Sequence, residues 1–108
     1  MNKFEAVLLI SPEISQKALS KELEDFKNLI TNNKGNVINS EDWGIRDLSY
    51  NISSFKKAFY NYFQIEVPGN NIPLIKNNLT NNESILRHLF IKVEKHQELP
   101  TKLYNEKK

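Results

Sequence analysis

The 108-residue chain contains no cysteine, only three glycines and only two histidines. The first absence excludes disulfides, thiolate nucleophiles and cysteine-ligated metals, and it fits a reducing compartment. Three glycines leave no glycine-rich phosphate loop. The histidines, His88 and His96, share no metal-ligand spacing with each other or with a carboxylate. Ser53-Ser54 has no base in a recognisable motif. No catalytic residue, metal ligand or cofactor is therefore expected, and the chain does not read as an enzyme. Residues 6–10 form an apolar stretch too short for a signal sequence or a membrane span, so the expectation is a cytoplasmic protein. A net charge of +2 does not by itself point to a polyanionic partner; the placement of the charges has to decide that.

What is present suits one folded domain: 39% hydrophobic and 26% charged residues in 12.6 kDa. Residues 3–10 read as a strand. Phe4, Ala6, Leu8 and Ile10 alternate with Glu5, Val7 and Leu9, and a strand apolar on both sides belongs in the middle of a sheet. Residues 14–33 read as a helix with Leu19, Leu23, Phe26 and Ile30 in one stripe, Ser15 as N-cap and Gly35 as the stop. Residues 37–52 form a long second strand in which Gly44 marks a bulge or a close backbone approach. Residues 53–57 read as a polar, basic connection and 59–67 as a third strand. A short second helix follows, capped by Asn71, with Pro73 in its first turn and Ile72, Ile75 and Leu79 on one side. Residues 85–93 are the fourth strand. The domain is thus expected over residues 1–94, with a polar, flexible tail over 95–108.

The order β-α-β-β-α-β predicts an α+β fold, the ferredoxin-like split βαβ arrangement. It has a four-stranded antiparallel sheet, both helices on one face, and the first and third strands central. Two helices leave the other face open. With Phe4, Ala6 and Leu8 under the helices, that face carries Val7, Leu9, Tyr60 and Tyr62. A contiguous apolar and aromatic patch of this kind marks an interface with a protein, or a platform for stacked bases, unless the tail folds over it. The RNA recognition motif shares this strand order, but Lys57-Ala58-Phe59-Tyr60-Asn61-Tyr62 matches its third-strand signature poorly.

Arginine occurs only at Arg46 and Arg87. Coding bias toward lysine accounts for the scarcity, and the retained arginines mark places for a planar, multi-donor cation. Lys56 and Lys57 on a loop, Arg46 on the second strand, and Arg87 and Lys92 on the fourth are the cations able to meet phosphates. His88 alternates with apolar residues and reads as a structural histidine.

Several spaced motifs carry a resemblance. They are Phe4-Glu5 leading to Ser11-Pro12, and Trp43-Gly44-Ile45-Arg46-Asp47-Leu48-Ser49-Tyr50-Asn51-Ile52. Lys57-Ala58-Phe59-Tyr60, Glu66-Val67-Pro68 and Ile85-Leu86-Arg87-His88-Leu89 follow in order. Together they resemble the bacterial small-subunit ribosomal protein S6 family from about residue 3 to residue 94. One departure is Asn51, which stands where the family often has proline and leaves a backbone N–H on that strand. The resemblance implies a structural role in the small ribosomal subunit, binding the central domain of 16S rRNA together with ribosomal protein S18. It makes Trp43, Arg46 and Tyr50, with Tyr60 and Tyr62 of the open face, candidates for the protein partner. Lys3, Arg46, Lys56, Lys57, Arg87 and Lys92 are the candidates for RNA backbone. The competing expectation is a stand-alone module that stacks single strands on Tyr60 and Tyr62, or that senses a small molecule.

Overall fold

The structure, a computed structural model, describes residues 2–52 and 54–96, apart from the side chains of Ser49 and Tyr50. Its elements are β1 (Asn2–Ile10), α1 (Gln16–Asn32), β2 (Asn36–Ile52), β3 (Phe55–Val67), α2 (Ile72–Thr80) and β4 (Ile85–Val93). The sheet order is β2-β3-β1-β4 and every neighbouring pair is antiparallel. This is the ferredoxin-like arrangement, with β1 and β3 central.

The helix-facing side of the sheet forms the core. Phe4, Ala6, Leu8 and Ile10 of β1 and Phe63, Ile65 and Val67 of β3 pack under Leu19, Phe26 and Ile30 of α1 and Ile72, Ile75 and Leu79 of α2. Phe26 meets Phe63 with ring centroids 4.6 Å apart. This is the three-to-four stripe of each helix meeting the period-two rows of the strands.

Local chemistry sets the ends of α1. The Ser15 hydroxyl accepts from the Ala18 N–H at 3.1 Å, which satisfies a donor the first helical turn would otherwise leave free. At the other end the left-handed residue is Lys34, with φ +67°, and not the glycine beside it. Gly35 serves a different need. A Cβ there would lie 2.6 Å from the Glu66 carbonyl oxygen and 2.8 Å from the Val67 Cβ, so only glycine lets the chain turn this close to β3.

Three expectations are corrected. β3 begins at Phe55, which places Lys56 and Lys57 in a strand and not on a loop. Apolar alternation could not reveal this start, because β1 pairs only with residues 59–67 of β3. Before residue 59 the strand pairs with β2 alone, as one half of a two-stranded ribbon in which, among the described residues, only Ala58 is buried. α1 starts at Gln16, one residue after its cap. Asn71 makes no side-chain cap on α2; its amide instead donates to the Asn33 carbonyl at 2.7 Å and ties the end of α1 to the start of α2.

Of the expected tail, residues 97–108 lie outside the described residues. Of its first two residues, His96 has a side chain only 11% exposed, with Nδ1 3.8 Å from Glu5 Oε2.

Candidate binding surface on the open sheet face

Residues paired across the strands share a face, so the registers map the open side row by row. One row runs Arg87, Leu9, Tyr60, Gly44; the next Leu89, Val7, Tyr62, Glu41; the third Ile91, Glu5, Gln64, Asn39. Arg46 opposes Ala58 beyond the first row, and Lys3 pairs with Glu66 and Val93 at the far end. Val7, Leu9, Tyr60 and Tyr62 are therefore neighbours, as expected.

Their exposure is not as expected. Tyr62 is 3% exposed and Leu9 6%. Tyr62 is covered by Trp43, itself 8% exposed, whose ring stacks on it at 5.3 Å with an interplanar angle of 10°. A bulge puts it there: the β2–β3 register shifts between Asp42 and Gly44, and Gly44 adopts φ +75°. The Gly44 N–H donates to Asp42 Oδ1 at 2.8 Å, which holds the bulge closed. The extra residue breaks the alternation of the strand and re-aims one side chain. Here the re-aimed side chain is the indole.

The indole is fixed on every side. Its Nε1–H donates to Glu41 Oε1 at 3.0 Å. The Arg46 guanidinium lies 5.3 Å from its ring centroid while Arg46 Nε–H donates to the Trp43 carbonyl at 3.0 Å. Beneath, Gln64 Nε2 donates to the Tyr62 hydroxyl at 3.2 Å, and Asn39 Nδ2 donates to Gln64 Oε1 at 3.3 Å. A ring held in a satisfied network is pre-organised, and binding to it costs little ordering. The same closure removes Tyr62 as a stacking platform, since a base needs an open π-face.

The structure thus brings together Trp43, Arg46, Tyr60 and Tyr62. Tyr50 lies in β2, with its side chain outside the description. Sequence reasoning did not single out Glu41, Gln64 or Asn39; the signal was the same-face register of Gln64 with Tyr62. It also missed Leu89 and Ile91, 46% and 62% exposed on the β4 edge, though Arg87, Leu89 and Ile91 alternate visibly.

The six candidate cations do not form one cluster. Arg46, Arg87 and Lys3 belong to the open face, and by alternation from Ala58 so does Lys56. Lys3 faces Glu66 at 3.7 Å, at the end remote from Arg46. Lys57 and Lys92 are on the helix side: Lys57 meets Asp47 at 3.8 Å and Lys92 pairs with Phe4. No group of three or more His, Asp or Glu side chains among the described residues could hold a metal ion. No described helix is long and apolar enough to cross a membrane.

Sheet order and helix placement define a ferredoxin-like α+β domain, with a fixed aromatic–cation cluster on its open face. The family described as Ribosomal protein S6 matches residues 3–92. The small ribosomal subunit protein bS6 of Buchnera aphidicola is 38% identical over 95 residues, covering 88% of this chain and 79% of that one. The bS6 of Brucella anthropi is 35% identical over 98 residues, covering 91% of this chain and 65% of the relative. In structure, the 30S ribosomal protein S6 of Thermotoga maritima superposes with a TM-score of 0.81 at 22% identity, over 85% of this chain and 87% of that one. The chain belongs to the ribosomal protein S6 family, a structural family of the small ribosomal subunit and not a family of enzymes.

Proposed function

We propose that this protein binds the central domain of 16S rRNA together with ribosomal protein S18 on the cytoplasmic ribosome, and that it supports subunit assembly. The observation that carries this reading is the open face. A pre-organised Trp43–Arg46 surface on the β2 edge and the exposed Leu89 and Ile91 on the β4 edge share this face, with Arg87 and Lys56 at the Arg46 end of the sheet. The apolar edge and the fixed arginine suit a protein partner, and the flanking cations suit RNA phosphates.

The role is assembly without turnover. Few phosphates can be neutralised by so few cations, so RNA binding by this protein alone is weak and only shallowly salt-dependent. A partner that shares the surface adds a coupling of about 1–3 kcal/mol, and by reciprocity this protein strengthens the partner's RNA binding equally. The stand-alone stacking module is disfavoured by the closed Trp43–Tyr62 pair.

The test is sedimentation of lysate on a sucrose gradient together with RNA binding in the presence and absence of S18. Co-migration with the small subunit, and tighter RNA binding when S18 is added, support the reading. Arg46→Ala should weaken the S18-dependent gain while leaving the melting temperature within a few degrees. Free migration, or RNA affinity indifferent to S18, would refute it.

A further inference from the structure

The helix side of β4 carries a feature that the open-face surface does not use. His88, Phe90 and Lys92 pair with Leu8, Ala6 and Phe4, so all three point to the side on which α2 lies. From α2, Lys76 places its ammonium 5.8 Å from the centroid of the Phe90 ring. One turn later the Thr80 hydroxyl comes within 3.3 Å of His88 Nε2. Lys92 follows two residues after Phe90 on the same side, roughly 7 Å along the strand.

These positive groups have no compensating acid. Ion pairs among the described residues include those of Lys3, Lys21, Lys57 and His96. Lys76 and Lys92 are in none of them, and Lys76 rests on an aromatic face. The carboxylates on adjoining segments are Glu22 of α1, Glu83 in the turn before β4 and Glu94 after it. Glu22 accepts from Asn82 Nδ2 at 2.6 Å. None of the three pairs with Lys76, His88 or Lys92 among the described residues. The strip of β1 beneath is apolar.

The geometry points to a second anion site on the surface where α2 meets β4, formed by Lys76, Thr80, His88 and Lys92, that takes a backbone phosphate of RNA. The two lysines act as point charges on either side of Phe90. Thr80 Oγ1–H donates to the Lys76 carbonyl at 2.9 Å, which leaves the hydroxyl oxygen to accept from His88 Nε2–H. His88 Nδ1 is then the group that takes up a proton when a phosphate arrives. Burial first, and the Lys76 charge second, hold the His88 pKa below its ordinary 6.5. A bound phosphate offsets the lysine charge, so binding and protonation reinforce each other. The site faces away from Arg46 and Arg87, so the protein would hold two RNA segments on opposite sides of its sheet.

Because the ligand is RNA, this inference rests on the ribosomal reading above, and the experiment separates the two. Small subunits lacking this protein are titrated with wild type, the double variant Lys76→Gln/Lys92→Gln, and Lys17→Gln as control, over a range of salt. The double variant should lower the slope of log K against log salt by about 1, the release expected for one phosphate no longer neutralised. The control should not change it. His88→Gln should abolish the gain in affinity between pH 7.5 and 6 that wild type shows. A double variant that folds normally but keeps the wild-type slope overturns the site and leaves the ribosomal reading intact. Failure of wild type itself to bind the subunits overturns that reading. Inorganic phosphate followed by NMR then judges the site alone, with His88 ring shifts that saturate in wild type but not in the double variant. Shifts spread evenly over all lysines would refute it.

Discussion

Trp43 lies flat on Tyr62, 5.3 Å between ring centroids and 10° from parallel. The indole comes from the edge strand β2 and the phenol from the central strand β3, so the stack fastens the edge of the sheet to its middle. Trp43→Ala should cost about 3 kcal/mol in urea unfolding, the usual scale for deleting a buried aromatic; stacking itself contributes about 1 kcal/mol of this. Trp43→Phe should recover more than half. A loss below 1 kcal/mol for the alanine variant would mean that the ring does not cover Tyr62. Trp43 is also the only tryptophan, so its fluorescence reports this stack and nothing else.

Stability should depend on pH through His88. Its pKa is lowered in the folded state, by burial first and by Lys76 second. The unfolded chain therefore binds more protons between the folded pKa and 6.5, and stability rises with pH across that window. The contribution is complete above 6.5 and is lost as the pH falls toward the folded value. Thermal melts of wild type should drop on acidification through this range by more than those of His88→Gln. Parallel curves for the two proteins would remove His88 as the cause.

The glycines should separate by mechanism. Gly44 has φ +75° and open space around its Cα, so Gly44→Ala carries only backbone strain, about 1 kcal/mol. At Gly35 an added Cβ meets backbone and core atoms below 3 Å, and the cost should be larger, about 2–4 kcal/mol. Denaturant midpoints of the two variants measure the order directly. Equal losses would refute the close approach at Gly35.

Most of the architecture was legible because its elements bury a face. The period-two rows of β1 and the stripe through Leu19, Phe26 and Ile30 are consequences of burial, and so is the central place of β1 and β3. The candidate surface was half legible. Alternation put Tyr60 and Tyr62 beside Leu9 and Val7, and Gly44 marked the bulge, but no periodicity says that the bulge swings Trp43 over Tyr62. A one-residue bulge exchanges the faces of a strand without changing its composition. Lys57 and Lys92 were grouped with Arg46 by charge alone. Register, which sequence does not display, puts them on the other side. Asn71 has the right chemistry for a cap, but its side chain is turned so that Nδ2 donates to the Asn33 carbonyl, a contact across 38 positions.

The ribbon of residues 46–52 and 55–58 extends past the last pairing between β1 and β3, which ends at Ile10 and Phe59. Its hydrogen bonds join only two strands. Its amides should therefore exchange with deuterium through small openings, while those of residues 59–67 wait for the whole molecule to unfold. The ribbon beyond Arg46 can thus be reshaped by whatever it docks against at a fraction of the free energy that holds the core, while Arg46 itself stays held against Trp43.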